Sequence, residues 1–277
     1  MEKILTIDWK SENANTEFVK SLSTSGFAVI YNHDIDIDLI SKTYKDWKSF
    51  FSSDSKLNYL FDYQKQDGYF PFKSENAQGY STKDLKEFFH IYRWGRYPSE
   101  ISKDTKEMHK QLLSFGSVLL DSLDECAPES IRCHFSMKLS EMIKGSGQNL
   151  LRIIHYPPVE IRDTEDGSIR AEAHTDINLI TILIAEPGLQ VLGQDDKWVD
   201  VELAKNSIVV NIGDMLQKCS RGFYKSTVHR VVNPSGLDNK SRYSMPLFIH
   251  PRNEVQLTKK LTAQQYLEMR LKEIGLK

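Results

Sequence analysis

No stretch of this chain stays apolar for the ~18 residues that a membrane-crossing helix needs, and no charged-then-apolar leader opens it. A cytoplasmic protein without a membrane partner is expected. Cysteine is scarce. Cys126, Cys133 and Cys219 form no Cys-x-x-Cys pair and leave an odd one over, so they read as small buried or half-buried thiols in a reducing compartment. Excess charge of one sign is also missing: 36 Lys and Arg stand against 38 Asp and Glu. Without a basic stripe, a nucleic-acid partner held by phosphate neutralisation is not expected. No internal repeat or low-complexity linker divides the chain. Its 277 residues, 40% hydrophobic and 27% charged, suffice for one large domain or two small ones.

What is present falls into two characters. Residues 4–9 and 26–33 ("GFAVIYNH") read as strands, and 13–25, 36–52, 101–126 and 129–143 as helices. From residue 149 the text changes to "NLLRIIHYP", "LITILIA", "LQVL", "WVDV", "SIVVNIG", "STVHRVV" and "RYSMPLFIH", short strand-like runs separated by turn residues. Such spacing indicates an antiparallel sandwich or barrel. The closing "LTAQQYLEMRLKEIGLK" returns to helix, with Thr262-x-x-Gln265 as a capping box. The expectation is one continuous α+β unit: a helical and strand region over 1–148, a β core over 149–252 and a C-terminal helix over 253–277.

Within "AEAHTDINLITIL" (171–183), His174 and Asp176 stand two apart. With 8 His and 38 acidic residues in 277, roughly one His-x-acid triplet arises by chance, so context must carry the reading. If 172–184 is one extended strand, both side chains share a face. The apolar run that follows marks that strand as buried, and a buried carboxylate needs a cation. His229 in "STVHRVV" supplies a second imidazole, completing a donor set that suits non-haem Fe(II) and that zinc hydrolases also use. Thirteen residues on, Arg242 and Ser244 share a strand face, a guanidinium fork and a hydroxyl suited to a carboxylate. A co-substrate that chelates iron at one end and presents a carboxylate at the other, as 2-oxoglutarate does, would use all five groups.

In their order, "GFAVIYNHDI", "GYFPFKSENAQGYSTKDLKEFFH", "HTD", "GLQVL", "WVDV", "VVNIGDML", "YKSTVHRVV" and "RYSMPLF" resemble the iron(II)/2-oxoglutarate-dependent dioxygenases of the isopenicillin N synthase-like family over nearly the whole chain. Asp34 departs from the usual Gly after the His of the first motif. The resemblance implies a double-stranded β-helix (jelly roll) core with N-terminal helices around it. It implies Fe(II) on His174, Asp176 and His229, and 2-oxoglutarate on Arg242 and Ser244 with Tyr156 in contact. Ile154 stands where many members have Asn, so a polar contact near the co-substrate is expected to be missing unless Arg152 replaces it. The implied reaction consumes O2 and 2-oxoglutarate, releases succinate and CO2, and oxidises a small-molecule substrate, hydroxylation being the commonest outcome. Ascorbate is an expected stimulant and a monomer the expected state.

Oxidases like isopenicillin N synthase or aminocyclopropanecarboxylate oxidase, which carry the same residues without consuming 2-oxoglutarate, remain open at this point. So does a catalytically silent, metal-stabilised binding protein on the same scaffold. Phe89, Asn178 and Phe248 are candidate substrate contacts, and the segment 68–80 is expected to border the pocket mouth. His90, His155 and His250 lie near the candidate site in sequence pattern, whereas His33, His109 and His134 read as surface or capping residues.

Overall fold

The strand-like runs pair into two main sheets. The computed structural model describes residues 3–75, 82–164, 167–233 and 239–273. The chain opens with β1 (Thr6–Asp8), α1 (Ala14–Ser25), β2 (Phe27–Tyr31) and α2 (Ile37–Phe51). Then come β3 (Gly68–Phe70), β4 (Glu87–Ile91), α3 (Asp104–Glu125), α4 (Glu129–Arg132) and α5 (Leu139–Ile143). The β-rich part holds β5 (Leu150–Tyr156), β6 (Ala171–His174), β7 (Ile180–Ala185), β8 (Leu189–Leu192), β9 (Trp198–Asp200) and β10 (Ile208–Ile212). It continues through α6 (Asp214–Cys219), β11 (His229–Val231) and β12 (Arg242–Ile249) to the small pair β13 (Gln256–Thr258) and β14 (Leu261–Thr262), and ends in α7 (Ala263–Glu273).

The larger sheet has the order β1-β2-β10-β7-β12-β5-β4-β3 and the smaller one β6-β11-β8-β9. Alternation along the strands, period two, creates two cores. Ala28, Ile30, Ile182, Val210, Met245, Leu247 and Ile249 turn outward and pack with α1, α2 and α3. Their neighbours Phe27, Val29, Phe88, Ile154 and Val209 turn inward and meet Leu189, Val191 and Val231 of the small sheet. That inner cluster fills the expected jelly roll, and the helices cover its outer face. Gly116 lets α3 close onto the sheet, because a Cβ there would stand 2.2 Å from Ile249 Cδ1. Among the described residues no helix is long and apolar enough to cross a membrane.

Five details differ from the sequence reading: to begin with, Cys126 and Cys133 are exposed and only Cys219 is buried. The expected helix over 129–143 is two short ones. α5 starts where Leu139 N donates to Asp124 Oδ2 of α3 (2.8 Å), a turn of the chain that buries Leu139, Met142 and Ile143. The expected single strand over 172–184 is interrupted: β6 belongs to the small sheet and β7 to the large one, so residues 175–179 cross between them. Part of the segment 68–90 is strand, since β3 and β4 extend the large sheet; residues 76–80 of the expected pocket border lie outside the described residues. Finally, His109 is buried rather than superficial.

Candidate active site

The crossing between sheets builds the site. His174 ends β6 and pairs in register with His229, which opens β11. Their rings lie 4.4 Å apart between centroids. Asp176 sits two residues later, in the crossing segment. Backbone bonds pin it there: Asp214 N donates to Asp176 O (2.7 Å) and Gly213 N to Leu179 O (2.9 Å). A side chain at Gly213 would fall 2.2 Å from Asn178 O, so glycine permits this contact.

Each imidazole is oriented by a carbonyl two residues before it. His174 Nδ1 lies 2.7 Å from Glu172 O, and His229 Nδ1 lies 3.1 Å from Thr227 O. A carbonyl only accepts, so in the neutral rings Nδ1 carries the hydrogen and Nε2 keeps its lone pair. Those Nε2 atoms lie 3.9 and 3.8 Å from Asp176 Oδ1. The opposite oxygen, Oδ2, accepts from Thr181 Oγ1 (2.5 Å) and Asn211 Nδ2 (2.8 Å). The carboxylate is therefore held at one oxygen and presented at the other. Burial by itself would raise its pKa, but the two imidazoles and the Asn211 and Thr181 donors outweigh that and hold it below the usual range. Burial, and then the neighbouring His229, push the His174 imidazole down to about 4, so it is neutral near pH 7.

One ligand atom from each of His174, Asp176 and His229 lies within 4.8 Å of the others. Two imidazole nitrogens and a carboxylate oxygen, oriented by outer hydrogen bonds, form a set that could hold an Fe(II) ion with open positions. Sequence reasoning missed Thr181 and Asn211. Their signal was a lone polar residue inside each of two apolar runs, "LITILIA" and "VVNIG".

Deeper between the sheets, Arg242 and Ser244 lie on the inward face of β12, both 3% exposed. Their register partners on β5 are Tyr156 and Ile154. Arg242 donates to Glu186 O and Pro187 O, its guanidinium lies 4.9 Å from the Tyr156 ring, and its Nη1 is buried without a partner. A buried, unpaired N–H on a cation is costly, and a ligand carboxylate is the acceptor that suits it.

Beside the triad opens a cavity of ≈ 420 Å³, lined among others by His174, Asp176, His90, Arg152, Phe248 and His250. Phe248, a candidate substrate contact, lines this cavity, as do His90 and His250. Phe89 does not. It is fully buried on the opposite face of β4, against Trp47 and Phe50, while its neighbours Phe88 and His90 face inward. Asn178 is also buried and serves the crossing turn, donating to Ile180 O (2.6 Å). His155 points away from the cavity, 2.7 Å from Glu87 Oε1 and stacked on Tyr243.

Comparison with known proteins places this geometry. The profile of the 2OG-Fe(II) oxygenase superfamily matches residues 147–251, and that of the non-haem dioxygenase N-terminal region, named for morphine synthesis, matches 6–112. Flavonol synthase 1 of Crocosmia x crocosmiiflora is 31% identical over 242 residues, 83% of this chain and 70% of that protein. A Shewanella oneidensis protein assigned as an oxygenase superposes with a TM-score of 0.89 at 43% identity, over 99% of both chains. A Neurospora crassa protein solved in complex with alpha-KG and thymine shares the fold at a TM-score of 0.80 and 23% identity, over 97% of this chain and 96% of its own. The chain belongs to the 2OG-Fe(II) oxygenase superfamily and is a non-haem Fe(II)/2-oxoglutarate-dependent dioxygenase.

Proposed function

We propose that His174, Asp176 and His229 hold the Fe(II), and that Arg242 and Ser244, with Tyr156 alongside, take the distal carboxylate of 2-oxoglutarate. The substrate is a small molecule bound in the adjoining cavity, and hydroxylation is the outcome. The observation that carries this reading is the convergence of the three ligand atoms within 4.8 Å beside a cavity that two of those residues line. Bound Fe(II) supplies the O2 chemistry that couples decarboxylation of 2-oxoglutarate to oxidation of a C–H bond. The chain's own groups do the rest. The Glu172 and Thr227 carbonyls fix both imidazole tautomers, and Thr181 and Asn211 fix the carboxylate. Arg242 neutralises and orients the keto acid in a dry setting, where a charge-assisted bond is strong. The apolar inner cluster around Ile154 and Val231 keeps water from that end. Two relatives, a flavonol synthase and a protein solved with thymine, support a small-molecule substrate.

The test is anaerobic addition of Fe(II) and 2-oxoglutarate together, expected to produce a visible charge-transfer absorption that neither gives alone. His174→Ala, Asp176→Ala and His229→Ala should each lose that band and all succinate release while keeping the circular dichroism of the parent. A variant of any of the three that retains both the band and succinate release would remove that residue from the metal.

A further inference from the structure

A second arginine faces the cavity, on the same sheet face as Arg242 but far along it. Arg152 is four residues from Tyr156, the register partner of Arg242. At ~3.3 Å per residue that is roughly 13 Å along the strand, too far for both to grip one end of the keto acid. Arg152 lies two residues from Ile154 on β5, so the two side chains share a strand face. Its own surroundings are built. Nε donates to His90 Nε2 (2.9 Å), and the His90 Nδ1 hydrogen is directed at Gln66 O (3.3 Å). The Phe88 ring lies 4.5 Å from the guanidinium carbon and the Phe248 ring 5.4 Å. A planar cation held between rings keeps one edge fixed in direction.

The cavity's other charges are engaged or solvated. Lys86 Nζ bonds Asp84 Oδ2 (2.7 Å) and Glu75 Oε2 (2.9 Å), and Asp84 Oδ1 accepts from Glu172 N. Arg270 bonds Asp214, and Lys65 is exposed. Arg152 forms an ion pair with the half-buried Glu75, 3.6 Å from Nη1, a separation beyond hydrogen-bond length. Among the described residues no acceptor takes Nη2, and that atom is not sealed away from the cavity. Leu150, Trp94, Leu267 and Leu271 add apolar wall to the same cavity.

We propose that Arg152 is a specificity residue that takes a carboxylate on the substrate, and that the preferred substrates are acids with an apolar, ring-sized body. This rests on the dioxygenase site proposed above, with Arg242 occupied by 2-oxoglutarate. His90 acts as its positioning residue, since its ring fixes the guanidinium plane.

The experiment is calorimetric titration of the anaerobic Fe(II)–2-oxoglutarate enzyme, saturated in co-substrate. The probes are phenylacetate, 3-phenylpropionate, cinnamate and 1-naphthoate, each with its primary amide. A charge-assisted bond of this kind should make at least one acid bind about 10- to 150-fold more tightly than its amide. Arg152→Gln should abolish the difference, and Arg152→Lys should recover part of it, since charge returns without the fork. If no wild-type acid binds more tightly than its amide, including the case of no binder at all, the assignment is overturned. The same holds if Arg152→Gln keeps the preference. Failure of the underlying site reads differently: the wild-type charge-transfer band with 2-oxoglutarate would not form before any acid is added.

Discussion

At the scale of single residues, the site depends on which atom of each side chain is held and which is left free. Arg242 has two nitrogens on backbone carbonyls and a third, Nη1, buried and unpaired. Losing a charge-assisted bond costs about 1.5–3 kcal/mol, so Arg242→Gln should raise the half-saturating concentration of 2-oxoglutarate about 10- to 150-fold. The maximal rate should fall much less, because the contact is the same in ground and transition states. Arg242→Lys should recover part of the loss. A 2-oxoglutarate titration of succinate release checks this, and an unchanged constant in Arg242→Gln would detach that residue from the co-substrate. Asn211 acts one step further out, through Asp176 Oδ2. Asn211→Ala should weaken Fe(II) binding about 10- to 100-fold, as loss of an outer hydrogen bond to a ligand does. The check is a metal titration followed by the charge-transfer band, alongside a melting curve to show that the fold persists.

At the scale of elements, α7 is tied to the crossing segment 175–179 by one carboxylate. Asp214, in the first turn of α6, accepts at Oδ2 from Thr175 Oγ1 (3.3 Å), Tyr266 Oη (3.0 Å) and Arg270. Thr175 lies between two of the candidate ligands, while Tyr266 and Arg270 belong to α7, whose Leu267 and Leu271 wall the cavity. The start of α7 is fixed by a capping box: Thr262 N donates to Gln265 Oε1 (2.9 Å) and Gln265 N to Thr262 Oγ1 (3.2 Å). Asp214→Ala should therefore loosen α7 and the crossing segment together, at a cost of about 1.5–3 kcal/mol for each charged bond lost. Hydrogen exchange should rise over 263–273 and 175–179 in the same variant. Thr262→Ala should affect α7 alone, by about 1 kcal/mol. Equal exchange over 175–179 in both variants would show that Asp214 does not couple the two elements.

At the scale of the whole molecule, buried histidines link stability to pH. Burial, aided by the Arg93 charge, lowers the His109 pKa from 6.5 to about 4. The unfolded chain takes up this proton near 6.5, whereas the folded protein resists it until about 4. Its contribution is thus fully present above about pH 6.5 and is lost as pH falls through that window, on the order of 3 kcal/mol over the full shift. His109 Nε2 is also buried without a partner. His109→Leu should consequently flatten the acid side of a melting-temperature profile taken between about pH 4 and pH 7. A profile as steep as the parent's would place the acid sensitivity elsewhere.

Much of this protein was legible before any fold was built, because donor chemistry and local periodicity are properties of neighbouring residues. His174, Asp176 and His229 stood out by type, Arg242 and Ser244 by their shared strand face, and Thr262 and Gln265 by their spacing. What stayed hidden required partners distant in the chain. Period two tells that Phe88 and Phe89 face opposite ways, but not which of two cores each one enters; the pairing of β4 with β5 decides that. Asp176 was expected to share a strand with His174, yet it reaches the site because the chain changes sheets between them. The edge that Arg152 turns to the cavity depends on His90, 62 residues earlier. A strand assigns its faces by itself, but only sheet pairing and the packing of two cores determine what each face meets.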